Sequence, residues 1–251
     1  MTHVHVLLKK EEIEPEKLVG SIVIVLDVLL ATTTISYAFA YGAKEVIPVS
    51  CEKDALHLST YYHPDEFVLV GEHEGRVIDG FLSPSPSLLK PYVRDKVVIL
   101  ATTNGTVALN RSEQADAVYP ACLRNGEAVI DDVLSRLKRG QNIVIVCAGS
   151  SGQFCLEDFY GAGYLLRLLR SGLSSLSLND AGIAAQLHFL AEQNNGYDLL
   201  AQSAVGKFLL EYSSEEEVRG VAELGVDPTV LIYQNKKITK KGATRSGTNQ
   251  T

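Results

Sequence analysis

Three segments of the chain repeat one order of hydrophobic and polar positions. Residues 21–43, 95–115 and 141–169 each open on four to six apolar, mostly β-branched residues. Such an uninterrupted run predicts a strand that is buried on both faces. Each run is followed by small polar residues and then by a stretch that can be helical. The repeated strand–turn–helix order predicts an α/β fold.

The rest of the chain adds shorter elements of the same kinds. The pattern predicts further strands at 3–8, 45–50, 67–72, 117–121 and 229–234, and further helices at 52–62, 126–140 and 180–193. Three prolines within residues 80–91 predict a loop there. We therefore expect three α/β/α layers around a mostly parallel or mixed sheet, in one integrated domain over residues 1–235. Residues 236–251 are predicted to be a polar, basic C-terminal tail.

Composition narrows the class of partner. The 251 residues are 46% hydrophobic and carry a formal net charge of -7, so the basic face that nucleic-acid binding requires is not expected. The chain has no run of 18 apolar residues, so no membrane span is predicted. It also has no signal-peptide pattern, so secretion is not predicted. Four cysteines without a C-x-x-C pair favour a reduced, cytoplasmic compartment. These features are compatible with a homo-oligomer.

The polar turns after the three long strands are the first candidates for chemistry. In open α/β sheets, ligands lie beyond the carboxyl ends of the strands, and the N–H groups that begin helices bind anions. This predicts an anion site lined by Asp27 and by residues 32–34, 102–106 and 149–152. Ser, Thr, Asn and Asp are also ordinary helix caps, so capping is the alternative for any single turn.

Two familiar phosphatase patterns fail in this sequence. Two residues after Asp27 stands Leu29, where aspartyl-phosphate hydrolases carry a second Asp. The loop that starts at Cys147 has Gln153 in place of an Arg, and a neutral amide cannot replace a bidentate guanidinium. Carboxylates at element ends beside hydroxyl-rich loops suit Mg²⁺, which takes oxygen ligands. The candidates are Asp27, Glu72, Asp79, Glu157, Asp158 and Asp180.

The chain resembles the 2-phosphosulfolactate phosphatase family in six motifs that keep the family's order, DVLLATTTI, GEHEGRVIDGF, TTNGT, ACLRN, VCAGSSGQFCLEDFYGAG and ND. The match covers residues 23–180, with weaker agreement to about residue 230. The resemblance implies an α/β fold and Mg²⁺-dependent hydrolysis of 2-phospho-3-sulfolactate to 3-sulfolactate and phosphate. A small anionic phosphoester is therefore the expected partner.

The resemblance also selects candidate site residues. The predicted catalytic residues are Asp27, Asp158 and Asp180, and the predicted Mg²⁺ ligands are Asp27, Glu72, Glu157 and Asp180. The predicted phosphate and substrate contacts are Thr32, Thr33, Thr34, Thr103, Asn104, Gly105, Arg124, Asn125 and Ser150. Either water attacks the phosphorus directly, or a carboxylate is first phosphorylated.

One departure from the family pattern bears on the substrate. The family typically carries an arginine at the position of Leu30. Each charge-assisted hydrogen bond lost with that arginine is worth about 1.5–3 kcal/mol. Arg76 and Arg124 are the predicted replacements. Two alternatives follow: a phosphatase for another small phosphoester, or a non-catalytic relative that binds a small anion.

Overall fold

Eleven strands join in one mixed sheet in a computed structural model that describes residues 1–212 and 214–242. The strands are β1 Thr2–Leu7, β2 Ile22–Leu26, β3 Glu45–Val49, β4 Phe67–His73, β5 Arg76–Val77, β6 Val97–Ala101, β7 Ala117–Ala121, β8 Ile143–Cys147, β9 Leu176–Leu178, β10 Leu231–Gln234 and β11 Lys237–Lys240. The helices are α1 Ala31–Ala40, α2 Glu52–Ser59, α3 Pro86–Leu89, α4 Gly105–Arg111, α5 Gly126–Arg136, α6 Leu156–Gly172, α7 Asp180–Glu192, α8 Gly196–Gln202, α9 Ala204–Tyr212 and α10 Glu215–Ala222. Two short 3-10 helices cover Lys10–Glu12 and Pro15–Leu18. Among these helices, none has the length and hydrophobicity needed to cross a membrane.

Two parallel blocks make up most of the sheet. The first block runs β7–β2–β8–β1–β9, and the second runs β4–β6–β3. The antiparallel pair β10–β11 lies between the blocks, with β10 against β7 and β11 against β3. At the far edge, β5 pairs antiparallel with β4. The predicted α/β fold with a mixed sheet is confirmed.

The three long apolar runs are the buried strands that the sequence predicted. All five residues of β2, β6 and β8 are buried. In β2, Val23 and Val25 face one core, which also holds residues of α1 and α4, whereas Ile24 and Leu26 face another, which holds residues of α5 and α6. Because successive side chains point to opposite faces of a strand, such a run covers both faces of the sheet. Helices therefore pack on both sides.

The predicted start of the C-terminal tail needs a correction. Residues 237–240, which the sequence analysis assigned to a polar tail from residue 236, form β11 in the middle of the sheet. Ile238 is fully buried and pairs with Tyr233 on one side and Val46 on the other. Only this one side chain of the strand is buried, so the segment reads as polar. Residues 243–251 of the predicted tail lie outside the described residues.

The two parallel blocks run in opposite senses, because three antiparallel pairings separate them. Val25 of the first block and Val98 of the second nevertheless pack into one core with residues of α1, α3 and α4. Strands in a sheet rotate by about 20–25° from one to the next, so the five pairings from β6 to β2 add roughly 100–125°. We attribute the meeting of the two sets of carboxyl ends to this accumulated twist.

Candidate active site

A cavity of about 390 Å³ lies where the carboxyl ends of the two blocks meet. The loops after β2, β4, β6 and β8 line one side of the cavity, and α9, α10 and the loop before α3 line the other. None of the described residues that line it is Lys, Arg or His. Four carboxylates line it: Asp27, Glu72, Glu74 and Glu217. The cavity is therefore acidic, although the expected substrate is an anion.

Asp27 follows β2 directly and is held by the main chain around it. Its Oδ1 accepts a hydrogen bond from the N–H of Ala31 at 3.3 Å. Gly105, at the start of α4, comes so close that a Cβ there would lie 2.6 Å from Asp27 Oδ2 and 2.6 Å from Ala31 Cβ. A real Cβ does not approach other atoms so closely, so only glycine fits beside this carboxylate.

Burial and neighbouring charges shift the proton affinity of the carboxyl groups here. Burial raises the pKa of Asp27 to about 7, and the negative charges of Glu72 and Glu157 act in the same direction. Burial, with the charges of Asp27 and Glu157, raises the pKa of Asp158 well above its usual value. Burial also raises the pKa of Glu157. A cation in this region would stabilise the ionised carboxylates.

Glu72, at the end of β4, is fixed by the turn after β6. Its Oε1 accepts from the N–H of Thr103 at 2.8 Å, and its Oε2 accepts from the Thr103 hydroxyl at 3.3 Å. Oε2 also accepts from the N–H of Gly75 at 2.7 Å. The Thr103 hydroxyl in turn accepts from the N–H of Glu74 at 3.0 Å. This network holds Glu72 and Thr103 together at the cavity, as the sequence analysis expected for both.

Asn104 and Ser150 complete the polar side of the cavity. Asn104 lies between β6 and α4, and its Oδ1 accepts from Lys10 Nζ at 2.8 Å and from the N–H of Ser151 at 3.3 Å. Ser150 and Ser151 belong to the turn after β8, and both line the cavity. The structure thus brings together predicted site residues from four strand ends: Asp27, Glu72, Thr103, Asn104, Gly105 and Ser150.

The three consecutive threonines do not point their hydroxyls into the cavity. Thr32 Oγ1 donates to the carbonyl of Asp27 at 2.8 Å and accepts from the Asp27 N–H at 3.0 Å. Thr33 donates to the carbonyl of Val28 at 2.8 Å, and Thr34 donates to the carbonyl of Pro84 at 2.6 Å. All three residues are buried. The hydroxyls of Thr32 and Thr33 hold the loop that carries Asp27, and the hydroxyl of Thr34 holds the loop before α3. The phosphate contacts predicted for the three residues are not supported by this geometry.

Asp158 and Glu157 lie behind the cavity wall, on the first turn of α6. Asp158 Oδ1 accepts from the N–H of Val28 at 2.8 Å, and its Oδ2 accepts from the N–H of Gly149 at 3.1 Å. Asp158 therefore ties the turn after β2 to the turn after β8. Neither carboxylate lines the cavity, and each is 2% exposed. The geometry favours a positioning function for Asp158 over direct catalysis.

Comparison with known proteins agrees with this arrangement of motifs. A family model described as 2-phosphosulpholactate phosphatase matches residues 7–236, which is nearly the whole chain. The chain belongs to this family. A probable 2-phosphosulfolactate phosphatase of Caldanaerobacter subterraneus subsp. tengcongensis is 37% identical over 199 residues, covering 78% of this chain and 81% of the relative. One of Symbiobacterium thermophilum is 34% identical over 225 residues, covering 89% of this chain and 95% of the relative.

Three residues that the sequence analysis placed at the site lie elsewhere in this family member. Arg124 donates to the carbonyl of Gly220 at 2.7 Å and pairs with Glu223. Asn125 is buried and accepts from the N–H of Cys122 at 2.8 Å. Asp180 is exposed at the start of α7, after the edge strand β9. None of the three lines the cavity.

Leu30 lines the cavity, at the position where the sequence analysis expected an arginine from the family resemblance. The predicted replacements do not reach this place, because Arg124 is engaged with Gly220 and Glu223, and Arg76 is an exposed residue of β5 outside the lining. Leu30 thus contributes an apolar side chain where an anion-binding guanidinium was expected.

Two residues near the cavity were missed by the sequence analysis. Lys10 is buried in the 3-10 helix after β1 and bonds to Asn104. Its position after a strand was a signal, since β1 runs parallel to β8 and ends at the same edge. Glu217 lies on α10, in the stretch 196–222 where no helix was predicted. It accepts from the hydroxyls of Ser85 at 2.6 Å and Ser87 at 2.5 Å. No local pattern marks Glu217.

The carboxylates that line the cavity are oxygen donors of the kind that Mg²⁺ takes as ligands. Within the described residues, no three His, Cys, Asp or Glu side chains already form a metal site. Mg²⁺ usually keeps several waters and takes one or two carboxylates together with substrate phosphate. Asp27 and Glu72 both line the cavity, and the charge of Glu72 raises the pKa of Asp27. This pair of carboxylates fits the usual protein contribution to a magnesium site.

Proposed function

We propose that this protein is a Mg²⁺-dependent phosphatase that hydrolyses 2-phospho-3-sulfolactate to 3-sulfolactate and phosphate. The observation that carries the proposal is the cavity at the strand ends, where Asp27 and Glu72 meet the Thr103–Asn104 turn in a chain of this family. The relatives described as probable 2-phosphosulfolactate phosphatases cover most of its length, which supports the same substrate here.

Asp27 and Glu72 would hold the metal ion. When bound, Mg²⁺ supplies positive charge that polarises a phosphoryl oxygen. The carboxylates of Asp27 and Glu72 are already oriented by the N–H groups of Ala31, Thr103 and Gly75, so little reorganisation is needed. Pre-oriented groups of this kind are what a phosphoryl-transfer site requires, since positioning and charge neutralisation account for most of the catalysis.

The chain's own hydrogen-bond donors would hold the phosphoryl group. Asn104, Ser150 and Ser151 line the same side of the cavity and offer amide and hydroxyl donors. The pKa of Asp27, raised to about 7 by burial and by the charges of Glu72 and Glu157, lies where a carboxyl group exchanges protons near neutral pH. A bound Mg²⁺ would stabilise the ionised form of Asp27 and lower this pKa, so Asp27 would act as a metal ligand and not as the group that exchanges the proton.

Phosphate release from 2-phospho-3-sulfolactate, measured with Mg²⁺ and again with EDTA, tests the proposal. We expect turnover only with the metal, and we expect Asp27→Asn to lower kcat by about 1,000-fold while the fold is kept. Asp79→Asn is the matched control, because Asp79 also follows a strand but lies exposed and outside the cavity. Asp180→Asn should likewise keep its activity. Ligand-dependent stabilisation without any phosphate release would instead indicate a non-catalytic anion-binding protein.

A second candidate function is hydrolysis of a less charged phosphoester. Leu30 and the lack of any Lys, Arg or His among the described lining residues favour it, because a sulfonate and a carboxylate would find no cationic partner in the lining. Comparison of kcat/KM across a panel of small phosphoesters, with and without the sulfonate, decides between the two. Clear preference for phosphosulfolactate rules out the second candidate.

A further inference from the structure

The side-chain amide of Asn104 has a fixed orientation at the cavity. Its oxygen lies 2.8 Å from Lys10 Nζ and 3.3 Å from the backbone nitrogen of Ser151. A lysine ammonium and a backbone N–H are both donors and accept nothing. Only the amide oxygen can face them, so the two possible orientations of the Asn104 amide are not equivalent.

The consequence is that the NH₂ group of Asn104 points away from Lys10. Within the described chain, Nδ2 of Asn104 donates to no acceptor, and Asn104 lines the cavity. Its two N–H donors are therefore offered to whatever fills the cavity. A phosphoryl oxygen is an acceptor that suits them, and a cation is not.

Lys10 is itself firmly held. Its backbone N–H donates to the carbonyl of Ala148 at 3.1 Å, directly after β8. Its Nζ also pairs with Glu11 at 2.9 Å, and the residue is 8% exposed. The neighbouring Lys9 donates to the carbonyl of Gly152 at 3.2 Å. The segment after β1 thus braces the turns after β6 and β8 from outside the cavity.

Lys10 also supplies charge that the lining lacks. Among the described residues it is the one Lys or Arg that is buried. Four carboxylates line the cavity, and among the described lining residues no side chain is cationic. Its ammonium sits one side chain behind the cavity wall and polarises the Asn104 amide, which strengthens the outward N–H donors.

We propose that Lys10 is a positioning residue for anion recognition: it fixes the Asn104 amide with both N–H donors toward a phosphoryl oxygen. Lys10 acts through Asn104 and does not touch the substrate. The identity of the anion as the substrate's phosphoryl group rests on the proposed phosphatase function, whereas the orientation of the amide does not.

The test compares Lys10→Met with Lys17→Met, a matched control at an exposed lysine paired with Glu14. With Lys10→Met we expect KM for the phosphoester to rise about tenfold or more, with kcat within about threefold of the parent. Lys17→Met should change neither. Thermal unfolding of each variant shows that the fold is kept. A Lys10→Met enzyme with unchanged KM overturns the proposal.

A double-mutant cycle separates positioning from general destabilisation. Asn104→Ala removes the donors that Lys10 orients, so adding Lys10→Met to it should raise KM by less than about twofold further. Equal effects of Lys10→Met in both backgrounds would contradict an action through Asn104. Asn104→Asp, which keeps the acceptor for Lys10 but loses the NH₂ and adds a negative charge, should raise KM at least as much as Asn104→Ala does.

Binding of inorganic phosphate distinguishes failure of this proposal from failure of the proposed function. Calorimetric titration of phosphate, with Mg²⁺ present, should give at least about tenfold weaker binding for Lys10→Met than for the parent. A parent protein that hydrolyses no phosphoester but shows this difference would refute the enzyme function and keep the positioning function. Equal phosphate affinity in the two proteins, or no binding by the parent, refutes the positioning function.

Discussion

The same tripeptide, Ala-Thr-Thr, occurs at the carboxyl ends of two buried strands, and its threonines make different contacts in the two places. After β2 this tripeptide is residues 31–33, and the hydroxyls of its two buried threonines donate to main-chain carbonyls. After β6 it is residues 101–103, of which Thr102 and Thr103 line the cavity. The difference is their place relative to the strand end. β2 ends at Leu26, so its triplet falls within α1, whereas the second triplet begins on the last residue of β6.

This comparison shows which part of each turn carries chemistry. In both turns the residue directly after the strand lines the cavity, Asp27 in the first and Thr102 in the second. A side chain at this place projects beyond the sheet edge, where ligands bind. Residues four or more positions later belong to the helix and satisfy its first turn. Of the four threonines in the two triplets, the two next to the strand end line the cavity, whereas Thr32 and Thr33, within the helix, do not.

Among the changes that compare the two turns, the largest effect is expected where the turns touch. Gly105→Ala would place a Cβ 2.6 Å from Asp27 Oδ2, so one of the two turns must move. A misplacement near 1 Å lowers activity by about 100-fold, and overpacking costs about 1–3 kcal/mol of unfolding free energy. Phosphate release and urea unfolding measure both.

Gly161→Ala in α6 is the matched control for this change. Its Cβ would meet Val28 Cγ2 at 3.3 Å and Leu26 Cδ1 at 3.4 Å, distances that small side-chain movements accommodate. We expect near-normal activity from it. Full activity in Gly105→Ala would mean that the contact between the turns is not needed.

The next largest effect, on stability, is expected at Asp158, whose carboxylate binds the turn after β2. Asp158→Ala leaves the buried N–H groups of Val28 and Gly149 without their acceptor, which should lower the unfolding free energy by about 2–5 kcal/mol. Asp158→Asn keeps one acceptor oxygen and should cost less. Chemical denaturation measures both variants. Unchanged stability together with lost kcat would restore the direct catalytic role first predicted for Asp158.

The two Ala-Thr-Thr triplets can be compared directly by removing one hydroxyl from each. Thr33→Val loses a buried hydrogen bond to Val28, so stability should fall by about 1–2 kcal/mol with KM unchanged. Thr103→Val loses the hydroxyl that contacts Glu72 and Glu74, so kcat should fall about tenfold with a smaller loss of stability. Steady-state kinetics and thermal unfolding test the contrast. The same change of KM and kcat in both variants would refute it.

The smallest effect on stability is expected at Asp132 of α5, which contacts the residue just after the strand pair β10–β11. Burial alone would raise the pKa of Asp132, but hydrogen bonds from Lys241, just after β11, and from Tyr119, with the charge of Arg136, hold it below its usual value. Because the folded pKa is the lower one, Asp132 stabilises the fold above the unfolded value of 3.8 and loses this contribution as pH falls below it.

Asp132→Asn should therefore lower the unfolding free energy by about 1 kcal/mol at pH 7. The difference from the parent should shrink as the pH of the denaturation experiment falls toward 3.5. Asp131→Asn, at the exposed neighbouring position, is the control. A difference that is constant with pH would show that the charge of Asp132 is not what stabilises the fold.

Much of the fold was predictable because its signals are local. Strands β2, β6 and β8 are runs that bury every residue, and such runs occur in few other settings. The strand β11 was missed because a single buried residue, Ile238, connects it to the core. The sequence analysis expected a mostly parallel or mixed sheet and did not divide it into two blocks. The two blocks run in opposite directions, and the twist of the sheet brings their carboxyl ends together. Both features depend on pairings between residues more than 100 positions apart.

The sequence by itself determined the buried strands, the polar turns that follow them and the family to which the chain belongs, since strand periodicity and short motifs are properties of neighbouring residues. The tertiary structure alone decided which polar groups reach the cavity. Thr33 bonds to its own main chain, Asp158 supports two loops from outside the cavity, Lys10 contacts the cavity residue Asn104 from outside, and Glu217 lines the cavity from the distant helix α10. The physical reason is that a buried polar group must find a partner, and which partner is available depends on how remote segments pack.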